Sequence, residues 1–368
     1  MTETMRAARL YEPGKPLRVE RIERPVPRAG DVLVAVKACG IIPNMNHIIS
    51  GALWHHLPTP PAVIGLDAAG VVVEAPAGRS DVKVGDAVYV NPFLWCGECA
   101  YCRGGEPLLC ADAALRGYFG FTDKGRKLLD AYPYGGLAEY ITAAPEHLVK
   151  LPSAVSFDQG ARWGYLGTSF AALRLGGAGA GSWIAINGVT GTLGVGAVML
   201  ALAMGVTRIL GWGRNRAVLK QLQELAPRRV QTLALGDAPL APWVRERTEG
   251  VGVDLLIDCT GRGGPAAPVA EAQGAVKRGG TTVNIGALAE PLALNPTQFM
   301  TSRMGYRGSN WFSNREAALM AELVETGVLS LDPWVPRVYP LEHVNEALAD
   351  IRSERPGGFI NFVVAPDR

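Results

Sequence analysis

Four of the six cysteines lie close enough along the chain to bind one metal ion. The stretch "CGECAYCRGGEPLLC" places Cys96, Cys99, Cys102 and Cys110 at the spacing Cys-x2-Cys-x2-Cys-x7-Cys. A loop with this spacing can wrap a tetrahedral ion, and four thiolates leave no open position for a substrate. The density of thiols in a large chain favours metal binding over disulfides. We therefore predict one structural zinc per chain in a lobe spanning roughly residues 91–112, although an iron–sulfur cluster could use similar ligands.

A glycine-rich loop is the second motif that could do chemistry. The stretch "AINGVTGTLGVGA" spaces Gly188, Gly191 and Gly194 between an apolar strand and an apolar helix. Glycines in this context permit a tight turn and let backbone N–H groups approach a pyrophosphate at a helix N-terminus. The spacing is a variant of the usual fingerprint, but the strand–loop–helix context supports a dinucleotide site. The other predicted contacts in this loop are Thr190, Thr192 and Leu193.

The residues about twenty positions further on indicate which dinucleotide binds. The second strand ends "ILGWGRNR", which supplies Gly213, Arg214, Asn215 and Arg216. An enzyme for NAD normally places Asp or Glu there to bind the ribose 2′-hydroxyl, and this stretch has neither. Two guanidinium groups suit the 2′-phosphate of NADP(H). The alternative is that both arginines are only solvated residues at the start of a helix.

The composition indicates a compact enzyme with no nucleic-acid or membrane partner. A chain of 368 residues is long enough for two domains, because single cores stop growing at roughly 250–300 residues. The net charge of +2 argues against nucleic acid and anionic membranes. The chain opens without an apolar signal segment, so we expect a cytoplasmic protein. An uncharged run at 188–206 has the length of a membrane span, but we interpret it as the glycine loop followed by a buried helix.

Two patterns of secondary structure are expected to position these motifs. Residues 1–160 give short strands broken by Gly and Pro, which is typical of a partly open β-barrel. Residues 161–311 alternate between strand, glycine turn and helix, which indicates a doubly wound parallel sheet. The tail, residues 312–368, returns to the first pattern with a strand, a helix and a strand. We therefore predict an α/β protein of two domains.

Several motifs together resemble the zinc-containing alcohol dehydrogenase family, the medium-chain dehydrogenases/reductases. They are spread over nearly the whole chain: "KACG", "GVVVEAPAG", "VGDAVYV", the cysteine lobe, "GGLAEY", "GVTGTLG", "VDLLIDCTG", "GGTTVNIG" and "GSN". The resemblance implies a GroES-like catalytic domain at 1–160 and 312–368 and a Rossmann NADP(H)-binding domain at 161–311. It also implies a homodimer or homotetramer that acts on a small-molecule substrate.

The resemblance carries over the structural zinc ligands but not the catalytic ones. The structural ligands fall on the four lobe cysteines. The catalytic ligands fall on Ile42 of "CGII", Leu66 of "GLD" and Tyr165 of "RWGYLGTSF", and Asp67 stands beside the second of these. Aliphatic side chains cannot coordinate zinc, and one Tyr with one Asp makes a poor site. We therefore predict that the catalytic zinc is absent.

Other positions of the family are kept in part. The family's substrate-contacting hydroxyl falls on Asn44, its proton-relay histidine on His47, and a basic residue that often contacts the pyrophosphate on Pro43. The family's cofactor-lining segments fall on Thr260, Gly261, Gly286, Ala287, Leu288, Ser309 and Asn310.

Hydride transfer without zinc needs an acceptor that is already electron-poor, because the metal otherwise contributes several kcal/mol of charge stabilisation. We predict NADPH-dependent reduction of a conjugated C=C or C=N bond, with the developing charge met by a hydrogen-bond or proton donor. Tyr165 is the candidate donor, or else it only fills the space left by zinc. His47 could relay protons or contact the ribose. Asn44 could donate to a carbonyl oxygen, and Asp67 is expected to order Tyr165 or a nearby basic residue.

Two other functions stay open at this point. One is an alcohol dehydrogenase or carbonyl reductase in which Tyr165 and Asn44 replace zinc, and the other is a non-catalytic NADPH-binding sensor or scaffold. Trp54, Trp95 and Trp163 fall in segments that line the family's substrate pocket. They would suit an aromatic substrate, although core packing explains them at least as well.

Overall fold

The computed structural model describes residues 3–52, 56–353 and 357–368. The strands are β1 (Thr4–Leu10), β2 (Arg18–Glu23), β3 (Val32–Gly40), β4 (Ala62–Val63), β5 (Asp67–Glu74), β6 (Ala87–Val90), β7 (Phe93–Leu94), β8 (Ala114–Leu115), β9 (Phe119–Gly120), β10 (Tyr140–Ala143), β11 (Leu148–Lys150), β12 (Trp183–Asn187), β13 (Arg208–Gly213), β14 (Val230–Ala234), β15 (Val253–Asp258), β16 (Val276–Asn284), β17 (Gly305–Gly308), β18 (Val335–Pro340) and β19 (Ile360–Ala365). The helices are α1 (Met45–Ile49), α2 (Ala100–Arg103), α3 (Asp123–Ala131), α4 (Phe157–Gly160), α5 (Trp163–Leu175), α6 (Thr192–Ala203), α7 (Arg216–Leu225), α8 (Leu240–Arg247), α9 (Ala267–Gln273), α10 (Pro296–Ser302), α11 (Asn314–Glu325) and α12 (Val344–Ser353).

The chain divides into two compact units. The first unit comprises Met1–Gly164, Ser313–Pro356 and Ile360–Arg368, and the second comprises Tyr165–Phe312 and Gly357–Phe359. The borders expected from the sequence, after residue 160 and before residue 312, differ from these by a few residues. The larger difference is the short segment 357–359, which was expected in the first domain. It packs with the second unit because the N–H of Gly358 donates to the carbonyl oxygen of Thr190 at 2.9 Å.

The second unit is built on a six-stranded, fully parallel sheet. Its strand order is β14-β13-β12-β15-β16-β17. The strands are nearly continuous runs of buried apolar residues, as expected where helices cover both faces of a sheet. The strand order reverses beside β12, and ligands of such sheets bind outside the carboxyl ends of the strands at that point. The predicted doubly wound parallel sheet is confirmed.

The uncharged run at 188–206 is a loop followed by a buried helix, as predicted. α6 is apolar on all sides and is buried from Gly194 to Ala201, which is the pattern of a helix in a protein core. Among the residues that the structure describes, no helix is long and apolar enough to cross a membrane.

The first unit is dominated by a mixed sheet of seven strands. Its order is β11-β6-β5-β3-β19-β18, and β10 pairs with β3. The tail joins this sheet because β19 runs antiparallel to β3 and parallel to β18. Valines that alternate along β3, among them Val32, Val34 and Val36, form its core with Val72 and Val88. Two three-stranded sheets, β2-β1-β4 and β7-β8-β9, complete the strands.

The first unit also contains helices that the sequence pattern did not indicate. α3 begins after Thr122, whose hydroxyl oxygen accepts a 3.2 Å hydrogen bond from the N–H of Gly125. α11 begins with a reciprocal capping box between Ser313 and Glu316. The local signal in each case is a hydroxyl residue at the N-cap, which satisfies N–H groups that the first helical turn leaves unpaired.

Candidate functional site

The four cysteines of the lobe converge on one point. Their sulfur atoms all lie within 4.8 Å of one another. The separations are 3.9 Å between Cys96 and Cys102 and 3.5 Å between Cys96 and Cys110. Tetrahedral zinc with Zn–S bonds of about 2.3 Å requires sulfurs about 3.8 Å apart. These residues therefore fit a structural zinc ion, which would leave no open position for a substrate.

The backbone of the lobe prepares these thiols to act as ligands. The N–H groups of Cys96 and Cys99 each point at a sulfur 3.4 Å away, on Cys110 and Cys96 respectively. The N–H of Cys102 points at the sulfur of Cys99 and lowers the pKa of that thiol to about 7. Burial raises the pKa of Cys110 to about 12. A bound metal deprotonates a coordinating thiol outright, so the lobe would bind zinc as four thiolates.

The glycine loop leads from β12 into α6, and its geometry requires glycine. Gly188 has a positive φ of 73°, and a side chain on Gly194 would place its Cβ 2.5 Å from the carbonyl oxygen of Gly188. The first three N–H groups of α6 belong to Thr192, Leu193 and Gly194, and a helix provides no internal partner for them. These donors can hold a pyrophosphate.

The end of β13 packs tightly against this loop. The carbonyl oxygen of Trp212 accepts 3.1 Å hydrogen bonds from the N–H groups of Gly188 and Val189. A Cβ on Gly213 would lie 2.7 Å from both the hydroxyl oxygen and the methyl carbon of Thr190. A side chain at position 213, where an NAD enzyme carries its ribose-binding acid, would therefore collide with Thr190.

The three residues after β13 have different partners. Asn215 caps α7, because its side-chain oxygen accepts a 3.2 Å hydrogen bond from the N–H of Val218. Arg216 donates two hydrogen bonds, of 2.6 and 3.0 Å, to the carboxylate of Asp237, and this partner raises the pKa of its guanidinium. Arg214 is exposed, and no residue in the described part of the chain pairs with its guanidinium. Of the two arginines predicted for a 2′-phosphate, only Arg214 is uncommitted.

A buried polar network that the sequence analysis missed lies beneath the loop. The indole N–H of Trp212 donates to the side-chain oxygen of Asn187 at 2.6 Å. The amide nitrogen of Asn187 donates to Asp258 Oδ1 at 2.8 Å, and the hydroxyl of Thr260 donates to the same oxygen at 2.5 Å. Asp258 is fully buried. The available signal was a polar residue at the last position of an apolar strand, in both β12 and β15.

The remaining predicted cofactor residues follow the carboxyl ends of β15, β16 and β17. The N–H of Ala287 donates to the carbonyl oxygen of Thr260 at 2.9 Å, and the N–H of Ser309 donates to the carbonyl oxygen of Asn284 at 3.0 Å. A Cβ on Gly286 would lie 2.5 Å from the carbonyl oxygen of Thr260. The same edge also carries Gly261, Leu288 and Asn310. The structure thus brings all predicted cofactor residues to one edge of the sheet.

Residues 357–359, which we call the strap, also lie on the dinucleotide loop and were not predicted there. Gly357 has a positive φ of 83°. A side chain on Gly358 would collide with the carbonyl oxygen of Gly191 and with Val195. The Gly-Gly pair in "PGGF" was the available signal, because such pairs often mark close backbone approach.

Two positions of the first unit at which the family resemblance places catalytic zinc ligands hold buried side chains. Ile42 and Leu66 are 4% and 5% exposed. The neighbouring Asp67 is fully buried, and its Oδ1 accepts a 2.7 Å hydrogen bond from the hydroxyl of Tyr89. Burial raises the pKa of Asp67 to about 7, and the hydroxyl of Tyr89 and the charge of Arg162 partly oppose that rise. The charge of a basic residue, Arg162, thus acts on Asp67, but the ordering role predicted for Asp67 stays a prediction, and its hydroxyl partner Tyr89 was missed.

The other predicted catalytic residues lie on or next to short helical turns. Asn44 precedes α1 and is half-buried, and its side chain does not cap that helix. His47 is half-buried on α1. Tyr165 is half-buried in the first turn of α5, within the second unit. The chemical roles assigned to these three residues stay predictions.

Two of the three tryptophans proposed to line a substrate pocket have other packing partners. Trp163 is completely buried and belongs to the core. The ring of Trp95 packs edge-on against His147 at 4.6 Å, where burial lowers the pKa of the histidine to about 3. Trp54 lies outside the described residues. Core packing, the alternative left open above, therefore accounts for Trp163.

Metal-binding side chains converge at one place in residues 3–52, 56–353 and 357–368. Only the four lobe cysteines form a group of three or more His, Cys, Asp or Glu side chains within ligating distance of each other.

Two family models match the chain. The model described as "Alcohol dehydrogenase GroES-like domain" matches residues 28–153, and the one described as "Zinc-binding dehydrogenase" matches residues 192–326. The first match lies within the first unit. The second covers most of the second unit and all of α11.

Known proteins resemble the chain over almost its whole length. An alcohol dehydrogenase of Geobacillus stearothermophilus is 30% identical over 345 residues, which cover 93% of this chain and 94% of that protein. A solved structure of a Sinorhizobium meliloti protein with NADP bound is 26% identical, with a TM-score of 0.84 and coverage of 99% and 100%. A structure of an NAD-dependent alcohol dehydrogenase is 24% identical, with a TM-score of 0.83 and coverage of 98% and 99%, and shows the fold alone.

Proposed function

Because the chain belongs to the zinc-type alcohol dehydrogenase family of medium-chain dehydrogenases/reductases, we propose that it is an NADPH-dependent reductase that works without a catalytic zinc. One observation carries this proposal. Two positions at which the family resemblance places catalytic zinc ligands hold Ile42 and Leu66, which are buried aliphatic side chains. Neither has an atom that can coordinate a metal.

The substrate class follows from the loss of the Lewis acid. A conjugated C=C or C=N bond accepts hydride more readily than an isolated carbonyl, because conjugation or an iminium charge already lowers its electron density. When bound, the cofactor supplies the hydride and its electron pair. A proton must then reach the other atom of the former double bond. Tyr165 is the proposed donor of this proton, and the amide of Asn44 is the proposed donor to a carbonyl oxygen conjugated with the bond.

The preference for NADP(H) is supported by the end of β13. Gly213 is packed against Thr190 where a ribose-binding acid would stand, and the neighbouring Arg214 is an uncommitted cation. The Sinorhizobium meliloti relative has NADP bound, while another protein of the same fold is NAD-dependent. Both cofactors thus occur on this fold, so the choice rests on the residues of this chain.

The cysteine lobe supports one structural zinc per chain. We further propose a homodimer or homotetramer, in the cytoplasm, with a small-molecule substrate for which aromatic compounds are candidates. Light scattering coupled to size-exclusion chromatography would give the number of chains in the particle.

A second candidate function is carbonyl reduction with Tyr165 and Asn44 in place of zinc. It is favoured by one observation, which is that the amide of Asn44 does not cap α1 and is thus available to a substrate. An enone distinguishes the two reactions, because C=C reduction gives a saturated ketone and C=O reduction gives an allylic alcohol.

The test combines elemental analysis with product analysis. The proposal expects close to one zinc per chain, consumption of NADPH with an enone, and a saturated ketone as product. Two zinc ions per chain with activity lost on chelation would overturn it. The Tyr165→Phe variant should lose most turnover while it retains NADPH affinity, and unchanged turnover would remove Tyr165 from the reaction.

A further inference from the structure

An aspartate in the turn after β14, the strand next to β13, pairs with one of the basic residues at the start of α7. Asp237 follows β14 by a short turn, in which its N–H donates to the carbonyl oxygen of Ala234 at 3.1 Å. Ala234 is the register partner of Gly213, the last residue of β13. The N–H of Leu235 donates to the carbonyl oxygen of Gly213 at 2.9 Å. These contacts hold Asp237 at the same edge of the sheet as the predicted ribose site.

The carboxylate of Asp237 faces Arg216 with both oxygens. The two hydrogen bonds measure 2.6 and 3.0 Å, and the side chains are 43% and 71% exposed. An exposed pair of this kind contributes little to stability, because solvent screens both charges. A phosphate group that approaches Arg216 can therefore separate it from Asp237 at small cost, and guanidinium–phosphate pairs are among the stronger charge-assisted contacts.

The region therefore has a different charge arrangement from a typical NAD site. An NAD enzyme places one carboxylate at the end of the second strand. In this chain that strand ends at Gly213, and the nearby carboxylate comes from the following strand and is neutralised by Arg216. Arg214 adds a cation with no partner in the described part of the chain. The three side chains together carry one net positive charge.

We propose that Asp237 determines the cofactor preference by competing with the 2′-phosphate of NADP(H) for Arg216. This inference rests on the proposed use of NADP(H). Arg214, which has no ion-pair partner in the described part of the chain, attracts the phosphate. Arg216 also contacts the phosphate once its guanidinium separates from Asp237. With Arg216 removed, the carboxylate of Asp237 repels a phosphate and can accept a hydrogen bond from a ribose hydroxyl. The Arg216–Asp237 ion pair thus lowers the affinity for NADP(H). It also keeps the carboxylate of Asp237 from accepting a hydrogen bond from the ribose of NAD(H).

Three variants and a matched control test this assignment in the full-length, zinc-loaded protein. Calorimetry gives dissociation constants for NADP⁺, NAD⁺, 2′,5′-ADP and 5′-AMP. Asp237→Asn should tighten NADP⁺ and 2′,5′-ADP about two- to fivefold, the range that an exposed ion pair is worth, and should leave 5′-AMP unchanged. Arg216→Gln should weaken NADP⁺ about tenfold or more and change NAD⁺ little or strengthen it. Arg214→Gln should weaken NADP⁺ at least as much.

The control is Glu224→Gln, which removes an exposed carboxylate on α7 that pairs with Lys220 at 3.8 Å. It should change none of the four dissociation constants. If Asp237→Asn leaves the NADP⁺ and 2′,5′-ADP constants unchanged, or if Glu224→Gln shifts them equally, the inference is wrong, although a wild-type preference for NADP⁺ would still support the proposed function. If the wild-type protein binds NAD⁺ as tightly as NADP⁺, the proposed cofactor itself is wrong.

Discussion

The hydroxyl of Tyr89 donates a 2.7 Å hydrogen bond to Asp67, and both side chains are fully buried in the first unit. Asp67 follows Leu66, one of the positions at which the family resemblance places a catalytic zinc ligand. A buried carboxyl group favours its neutral form, because the ionised form has lost its hydration. The pKa of Asp67 is accordingly raised from 3.8 to about 7.

This shift predicts that the first unit loses stability as the pH rises. The folded state holds the proton more tightly than the unfolded state, so the contribution of Asp67 is fully present below about pH 4 and is lost as the pH rises through about 7. Each pH unit in that window changes the free energy of unfolding by about 1.4 kcal/mol. Urea unfolding between pH 5 and pH 8 should show a smaller decline for Asp67→Asn than for the wild type. The control is Asp130→Asn, an exposed aspartate on α3. Equal declines in Asp67→Asn and the wild type would contradict the prediction.

A single substitution in the cysteine lobe should abolish zinc binding. Cys99→Ser removes one of four sulfurs that lie within 4.8 Å of one another, and metal binding by such a site contributes directly to folding. We expect the zinc content to fall from about one per chain to near zero, with a lower melting temperature. Cys259→Ala is the control, because Cys259 is a buried cysteine of the second unit and lies outside the lobe. Retained zinc in Cys99→Ser would show that its sulfur is not a ligand.

The buried network under the glycine loop should be sensitive to Asn187. Asn187→Ala removes the acceptor of Trp212 and a donor to Asp258, both of which are fully buried. Leaving the buried indole N–H of Trp212 without a partner costs about 1–3 kcal/mol, whereas Asp258 keeps the hydroxyl of Thr260 as a donor, so the free energy of unfolding should fall by about 1–3 kcal/mol. Asn46→Ala is the control, because that half-buried amide donates a single 3.2 Å bond to the carbonyl oxygen of Leu348. A loss in Asn187→Ala no larger than in the control would argue against the network.

The parts of the molecule that the sequence predicted depend on residues close together in the chain. The lobe cysteines span fifteen positions, and the glycine loop lies within one strand–loop–helix turn. Turn chemistry and ligand spacing act over such distances, so the zinc lobe and the dinucleotide loop could be inferred without the fold. The alternation of strands and helices similarly fixed the parallel sheet.

The parts that the sequence could not predict depend on partners distant in the chain. Asp67 and Tyr89 meet because β5 pairs with β6, and Asn187 meets Asp258 because β12 pairs with β15 in a particular register. A one-residue change in register would turn these side chains to opposite faces. Arg216 likewise has a carboxylate partner only because β14 lies beside β13. Basic residues at a helix start predict an anion site, but not which of them is already paired.

Two glycines of α6 provide a matched test of the dinucleotide loop. A Cβ on Gly194 would lie 2.5 Å from both the carbonyl oxygen of Gly188 and the Cα of Val189, whereas the nearest neighbour of a Cβ on Gly196 is a methyl of Leu166 at 3.4 Å. Backbone cannot yield to such an overlap without moving the loop. Gly194→Ala should therefore displace the N–H groups proposed to hold the pyrophosphate and weaken NADP⁺ binding by tenfold or more, roughly 1.4 kcal/mol.

The paired variant, Gly196→Ala, makes the same chemical change one half-turn along the same helix. It should leave the NADP⁺ dissociation constant within about twofold of the wild type, and alanine's better helix propensity can add up to about 1 kcal/mol of stability. Binding of 2′,5′-ADP, which has no pyrophosphate bridge, should be weakened less than that of NADP⁺ in Gly194→Ala. Equal NADP⁺ affinities in the two variants would mean that the close approach of Gly188 and Gly194 does not shape the cofactor site.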